Sequence, residues 1–115
     1  MRRRMMKSKI HRATVTGAKL DYAGSISLDT DLMKRADILE FEQVAVRDVD
    51  NGNRFETYAI AGDPGQVQLN GAAARLVEPG HRVIVITYAE YDDAELGAGF
   101  EPRVVKVDGQ NRPRD

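Results

Sequence analysis

Gln43-Val44-Ala45-Val46-Arg47-Asp48-Val49-Asp50-Asn51-Gly52-Asn53-Arg54-Phe55-Glu56-Thr57-Tyr58-Ala59-Ile60 reads as a β-hairpin. Val44 and Val46 alternate with polar residues, the period of a half-buried strand. Asn51-Gly52 supplies the two central residues that tolerate the positive φ of a type I′ turn, so Gln43–Asp50 is expected to fold back on Arg54–Ile60. The same signals recur outward from this hairpin. Ser25–Asp29 alternates with Ile26 and Leu28 inward, Lys9–Thr16 carries Ala13 and Val15 on one side, and Arg82–Tyr88 and Arg103–Val107 read as further strands. Ala23-Gly24, Asp63-Pro64-Gly65, Asn70-Gly71, Pro79-Gly80 and Asp108-Gly109 punctuate them as turns. Helical signals are brief: Asp29 or Thr30 can cap a short helix through Ala36, and Ala72–Val77 and Asp92–Leu96 suit single turns. About six short strands predict a mainly β fold with a few short helices, a small closed barrel whose closure removes exposed edges.

A chain of 115 residues holds one domain, here residues 1–115, and excludes a two-domain enzyme. The 42% hydrophobic content builds a core without staples. With no cysteine there are no disulfides, thiolate zinc sites, iron–sulfur clusters or thiol nucleophiles, in keeping with a reducing compartment. The apolar runs are no longer than Val83–Ile86, far short of the roughly 20 residues of a membrane span. Arg2, Arg3 and Arg4 are followed by no apolar stretch of a secretory leader. The expectation is a cytoplasmic protein without membrane contact, ending in a flexible tail at 110–115. Residues 1–20 carry seven Lys or Arg and no acid, whereas the rest carries ten bases and eighteen acids. Such a basic segment supports a rival reading, a non-catalytic β-barrel or swapped-hairpin DNA-binding protein that contacts phosphates through its start. Against it, the acidic remainder weakens association with a polyanion.

The sequence has no H-E-x-x-H, Gly-rich phosphate loop or G-x-S-x-G elbow. His11 and His81 lie 70 positions apart and no metal is expected; His81, after Pro79-Gly80, reads as a surface residue. The chemistry that stands out is Leu20-Asp21-Tyr22-Ala23-Gly24-Ser25. Glycine leaves its carbonyl open to close approach, and the hydroxyl of the next serine can attack it. Transfer of the acyl group from nitrogen to oxygen gives an ester, elimination cuts the chain, and hydrolysis leaves a pyruvoyl group on the new amino terminus. A Gly-Ser pair alone is more often an ordinary turn.

Four blocks in order supply the context: Met6-Lys7-Ser8-Lys9-Ile10-His11-Arg12-Ala13-Thr14-Val15-Thr16, Tyr22-x-Gly24-Ser25, Asn51-Gly52-x-Arg54-x-x-Thr57-Tyr58-Ala59-Ile60, and Asn70-Gly71-Ala72-Ala73-Ala74. Through them, over about residues 5–108, the chain resembles the pyruvoyl-dependent aspartate 1-decarboxylases. The resemblance implies a six-stranded double-psi β-barrel, assembled as a homotetramer with sites shared between subunits. It implies a zymogen that cleaves itself between Gly24 and Ser25 into 1–24 (β chain) and 25–115 (α chain), alone or with a maturation factor. The mature lyase would convert L-aspartate to β-alanine and carbon dioxide for pantothenate biosynthesis, through a Schiff base with the covalent pyruvoyl group derived from Ser25.

The resemblance also assigns residues. Ser25 and Tyr58 are catalytic, Tyr58 returning a proton to the carbanion. Lys9 and Arg54 bind the dianionic substrate, Arg54 through two parallel N–H bonds. Thr57 bonds the Gly24 carbonyl or the substrate. Asn70, Gly71, Ala72 and Ala73 form the small-residue wall of the pocket, and His11 and Tyr22 are possible pocket residues. Each also has a plain reading, as surface charge, strand residue or turn. In a regular strand Arg54 and Tyr58 share a face and Thr57 points away, so either the strand is irregular or two subunits share each site. The chain departs from the family pattern at Asp21, Arg47, Arg75 and the short turn Asp63-Pro64-Gly65-Gln66.

Overall fold

A computed structural model describes residues 1–114; Asp115, the end of the expected tail, lies outside the described residues. In chain order the elements are β1 (Arg2–Thr14), β2 (Gly17–Lys19), β3 (Ser25–Asp29), α1 (Thr30–Arg35), β4 (Gln43–Asp48), β5 (Arg54–Gly62), β6 (Val67–Asn70), a 3₁₀ helix (Gly71–Leu76), β7 (Arg82–Asp92), α2 (Asp93–Leu96), β8 (Arg103–Val107) and β9 (Pro113–Arg114). Their hydrogen-bonded order is β2-β6-β3-β5-β4-β7-β1-β8-β9. β1 and β2 are one strand bent at Val15–Thr16, so this row closes on itself. The Val15 N–H donates to the His81 carbonyl before β7 at 2.8 Å, and the Thr16 N–H donates to the Val67 carbonyl of β6 at 2.8 Å. Counting β1 and β2 together, the ring is β1/β2, β6, β3, β5, β4 and β7, the mainly β barrel of six strands that the sequence implies. Parallel pairs β1–β8, β2–β6 and β3–β5 are interleaved with antiparallel ones, in keeping with a double-psi topology.

One buried cluster fills the ring. Val44 and Val46 of β4, Val83 and Val85 of β7, Ile10 and Ala13 of β1, Ile26 and Leu28 of β3, and Val67 and Leu69 of β6 point into it. Asp29 caps α1, its carboxylate accepting from the Asp31 N–H at 2.7 Å and the Leu32 N–H at 3.4 Å. Leu32 and Met33 close one end of the core.

Four sequence expectations change. The hairpin forms, but its turn is not type I′: Gly52 has φ 78°, whereas Asn51 is not in the left-handed region. Asp48 explains this, because its Oδ1 accepts from the Asp50 and Asn51 N–H groups and builds a wider turn closed by Asp48 N–H to Asn53 carbonyl. β1 starts at Arg2 rather than Lys9, because Arg2–Met6 pair with Tyr88–Asp92 of β7. Arg2 meets Glu90 and Asp92, Arg3 meets Asp93, and the Arg4 guanidinium lies over the Tyr88 ring. Segment 110–114 is anchored: Asn111 is buried, accepts from the Thr14 N–H, and donates to the Thr14 and Gly65 carbonyls, while β9 pairs with β8. His81 is not a plain surface residue, because its Nδ1 lies 2.7 Å from Oδ2 of buried Asp48. Asp48, Asp50 and His81 converge, but their polar atoms serve the chain, Asp50 accepting the Arg82 N–H at 2.7 Å.

The hydrogen bond to Asp48 raises the pKa of His81 above its ordinary 6.5, reinforced by the Asp48, Asp50 and Glu78 charges. A raised pKa means the folded state holds the proton more tightly. The added stability is complete below pH 6.5 and fades as pH rises through the shifted value. The expected result is a Tm gap between parent and His81→Gln that is widest between about pH 5 and 6.5 and narrows at alkaline pH. A gap independent of pH contradicts the charged pair.

Candidate active site

Residues 20–24 form an exposed bend that enters β3 at Ser25, where exposure falls to 0%. The Gly24 carbonyl therefore stands at the boundary between solvent and core, directly before a hydroxyl held on both sides. Ser25 Oγ donates to the Ala23 carbonyl at 2.9 Å and accepts from Asn70 Nδ2 at 2.9 Å. Asn70, paired with Ser25 across β3 and β6, is itself fixed: Nδ2 also reaches Ser27 Oγ at 3.1 Å, and Oδ1 accepts from Gln68 Nε2 at 2.8 Å. Because its side chain is spent on β3, Asn70 makes no side-chain cap on the 3₁₀ helix that follows.

Gly71 presses on the same bend. It has φ +66°, and a Cβ there would lie 2.7 Å from Gly24 Cα, 3.0 Å from Gly24 N and 3.1 Å from the Tyr22 carbonyl oxygen. Only glycine combines that φ with that approach. Ala72 is exposed, Ala73 is half-buried and Ala74 is buried. Asn70 and Gly71, the first two residues of the wall expected at 70–73, thus lie directly against Ser25 and Gly24. Tyr22 is exposed with the Lys19 ammonium 5.1 Å from its ring centroid.

β3 and β5 run parallel, with Ile26 level with Ala59. Continued backward, that register sets Tyr58 level with Ser25 and Thr57 level with Gly24. Among the described residues no hydrogen bond joins Thr57 to Gly24. β5 is regular over Arg54–Tyr58, each residue matched one to one from Arg47 to Gln43 of β4. The irregular-strand alternative is therefore removed: Arg54, Glu56 and Tyr58 share one face, and Thr57 faces the other with Ala59. Tyr58 is half-buried and its ring lies 6.3 Å from that of Phe41.

Two expected binding residues are not brought to Ser25 within the chain. Lys9 sits between Ile86 of β7 and Val104 of β8, whereas Ser25 sits between β5 and β6. Arg54 begins β5, four residues before Tyr58 and roughly 13 Å away along the strand. His11, level with Lys106 of β8, is also remote from Ser25. Its Nδ1 is buried without a partner among the described residues, and burial, then the charges of Lys9, Arg12 and Lys106, hold its pKa below 6.5, favouring neutral imidazole. Neither the Asn70–Ser25 bond nor the Gly71–Gly24 contact is legible in the sequence as geometry, since each joins residues more than 40 positions apart.

A single chain thus presents an exposed Gly24 beside a positioned Ser25 hydroxyl, with Tyr58 on the neighbouring strand. The matches to known proteins agree over nearly all of the chain. The family model described as aspartate decarboxylase matches residues 1–114. The chain is 56% identical over 115 residues to a protein named aspartate 1-decarboxylase from Syntrophobacter fumaroxidans (strain DSM 10017 / MPOB), a match covering 98% of this chain and 92% of that protein. This chain belongs to the aspartate decarboxylase family.

Proposed function

We propose that the chain is the precursor of a pyruvoyl enzyme that cuts itself between Gly24 and Ser25, leaving residues 1–24 and 25–115. Membership of the family makes it a decarboxylase, a lyase acting on aspartate; the products are β-alanine and carbon dioxide, and the setting is cytoplasmic pantothenate synthesis. The observation that carries the self-cleavage is the buried Ser25 hydroxyl, pinned by Asn70 immediately after an exposed glycine.

In the cut, Ser25 Oγ adds to the Gly24 carbonyl carbon and the C–N bond breaks, giving an ester and a free amine. Loss of the Ser25 α-proton expels the Gly24 carboxylate. The dehydroalanine left at position 25 takes up water and releases ammonia, which creates the keto group. Oγ must first leave the Ala23 carbonyl, and the Asn70 amide is placed to hold it while it does.

The residues fit the finished group. Ser25 lies in a closed polar cradle of Asn70 and Ser27, and the glycine at 71 keeps the space over residue 24 clear of a side chain. The group supplies a carbonyl conjugated to an amide, a sink for the electron pair left when carbon dioxide departs. Around it the chain binds and protonates. Arg54 and Lys9 hold carboxylates, the 70–73 wall limits side-chain size, and Tyr58 offers a phenolic proton to the carbanion. Lys9 and Arg54 lie away from Ser25 in one chain, which supports sites completed by a neighbouring subunit in a homotetramer. The rival nucleic-acid reading loses ground because Arg2 and Arg3 pair with acids at the end of β7 and the start of α2.

Three outcomes are expected. Denaturing electrophoresis and intact mass will show two fragments for the parent, none for Ser25→Ala, and slowed or absent cleavage for Gly71→Ala, whose methyl group displaces the bend; a full-length parent after warm incubation, with no rescue by a maturation factor, refutes the reading. Arg54→Gln will fold and cleave but lose about 2 to 5 kcal/mol of transition-state binding for aspartate, seen in kcat/KM. Tyr58→Phe, purified cleaved, will still trap aspartate with borohydride but form β-alanine roughly 100 to 10,000-fold more slowly. Normal β-alanine output moves the proton donor elsewhere.

A further inference from the structure

Arg47 of β4 and Arg54 of β5 are directly opposed across the hairpin. Like charges in that position repel, and neither arginine takes part in an ion pair among the described residues. Arg47 has one side-chain partner, its Nη2 donating to the Tyr88 hydroxyl at 3.3 Å. The acid on the same face, Glu56, accepts from Gln43 Nε2 at 2.9 Å. With Tyr88 and Glu56 the two arginines line a groove of about 280 Å³.

We infer that Arg47 is a second substrate-binding cation, which together with Arg54 forms a two-guanidinium clip for one carboxylate of the substrate; this rests on the binding role proposed above for Arg54. An anion between the two forks converts their repulsion into two sets of charge-assisted bonds. The carboxylate so held is the one retained in β-alanine. The departing carboxylate loses its charge as carbon dioxide forms, so a cation clamped on it stabilises the ground state more than the transition state. The retained carboxylate keeps its charge throughout, and gripping it orients the substrate without opposing the reaction.

The clip separates stability from binding. In the free enzyme, Arg47→Gln removes a repulsion, so Tm stays level or rises. KM for L-aspartate and the inhibition constant for β-alanine both rise about tenfold, the loss of roughly 1.4 kcal/mol of binding, with kcat within about twofold, as loss of uniform binding requires. Arg47→Met keeps the packing of the stem without the charge, and is expected to show the same two increases. The comparison is made on cleaved enzyme beside Arg54→Gln. A parent KM in Arg47→Met or Arg47→Gln, next to a raised KM in Arg54→Gln, overturns the clip and leaves Arg54 in place. Parent values in all three overturn both readings. A raised aspartate KM with an unchanged β-alanine constant also overturns it, because the carboxylate held is then the one that leaves.

Discussion

Thr16 joins the two ends of the strand row. Its N–H donates to the Val67 carbonyl, and its Oγ1 accepts the Val67 N–H at 2.9 Å and donates to the same carbonyl at 3.1 Å. One residue earlier, Val15 is bonded to the turn before β7. The chain therefore leaves one neighbour and takes up the next within two residues, and the sheet has no choice but to close. The same bonds tie down β6, whose direct antiparallel pairing with β3 sets Asn70 opposite Ser25. Asn70 thus stands on the strand that closes the barrel, level with Lys19 of β2 on one side and Ser25 of β3 on the other.

The candidate site combines rigid and exposed parts in a way that suits a cut followed by catalysis. Ser25, Ser27 and Asn70 are buried and Asn70 bonds both serines, so the hydroxyl is held in place while its own proton goes to the Ala23 carbonyl. The bend at 20–24 is exposed, so the cut proposed at Gly24 would leave it free to part from Ser25. Gly71 links the two, since its bare Cα lets the bend rest against the 3₁₀ helix until then. Such close approach of backbone to backbone is available only to glycine.

Charge is distributed by the same logic. Of the basic start, the feature most suggestive of nucleic acid, Arg2 meets acids at the end of β7, Arg3 meets Asp93 at the start of α2, and Lys7 meets Glu42 at 2.8 Å. Exposed pairs of this kind contribute little each, but they align a two-stranded extension of the barrel. By contrast Arg47 and Arg54, on a face shared with Tyr58, meet no acid among the described residues.

The sequence by itself determined the strands β1, β3, β4, β5, β7 and β8, a short helix capped at Asp29 or Thr30, the hairpin and the family, because periodicity, capping and turn chemistry are local, and four ordered motifs survive without any contact being known; the short β2, β6 and β9 carry no such period. It also marked Gly24, Ser25, Arg54, Tyr58 and Asn70 as a set. Tertiary structure alone decided the shape of the turn at Asp48, the pairing of Arg2–Met6 with β7, the anchoring of Asn111 and the His81–Asp48 bond. Each joins a polar group to a partner that pairing brings near and that no period reveals. It alone decided, too, that Lys9 and Arg54 stand away from Ser25 within one chain. Strand neighbours are set by how the barrel closes, and alternation along a strand records which side a residue faces but not which strand lies beside it.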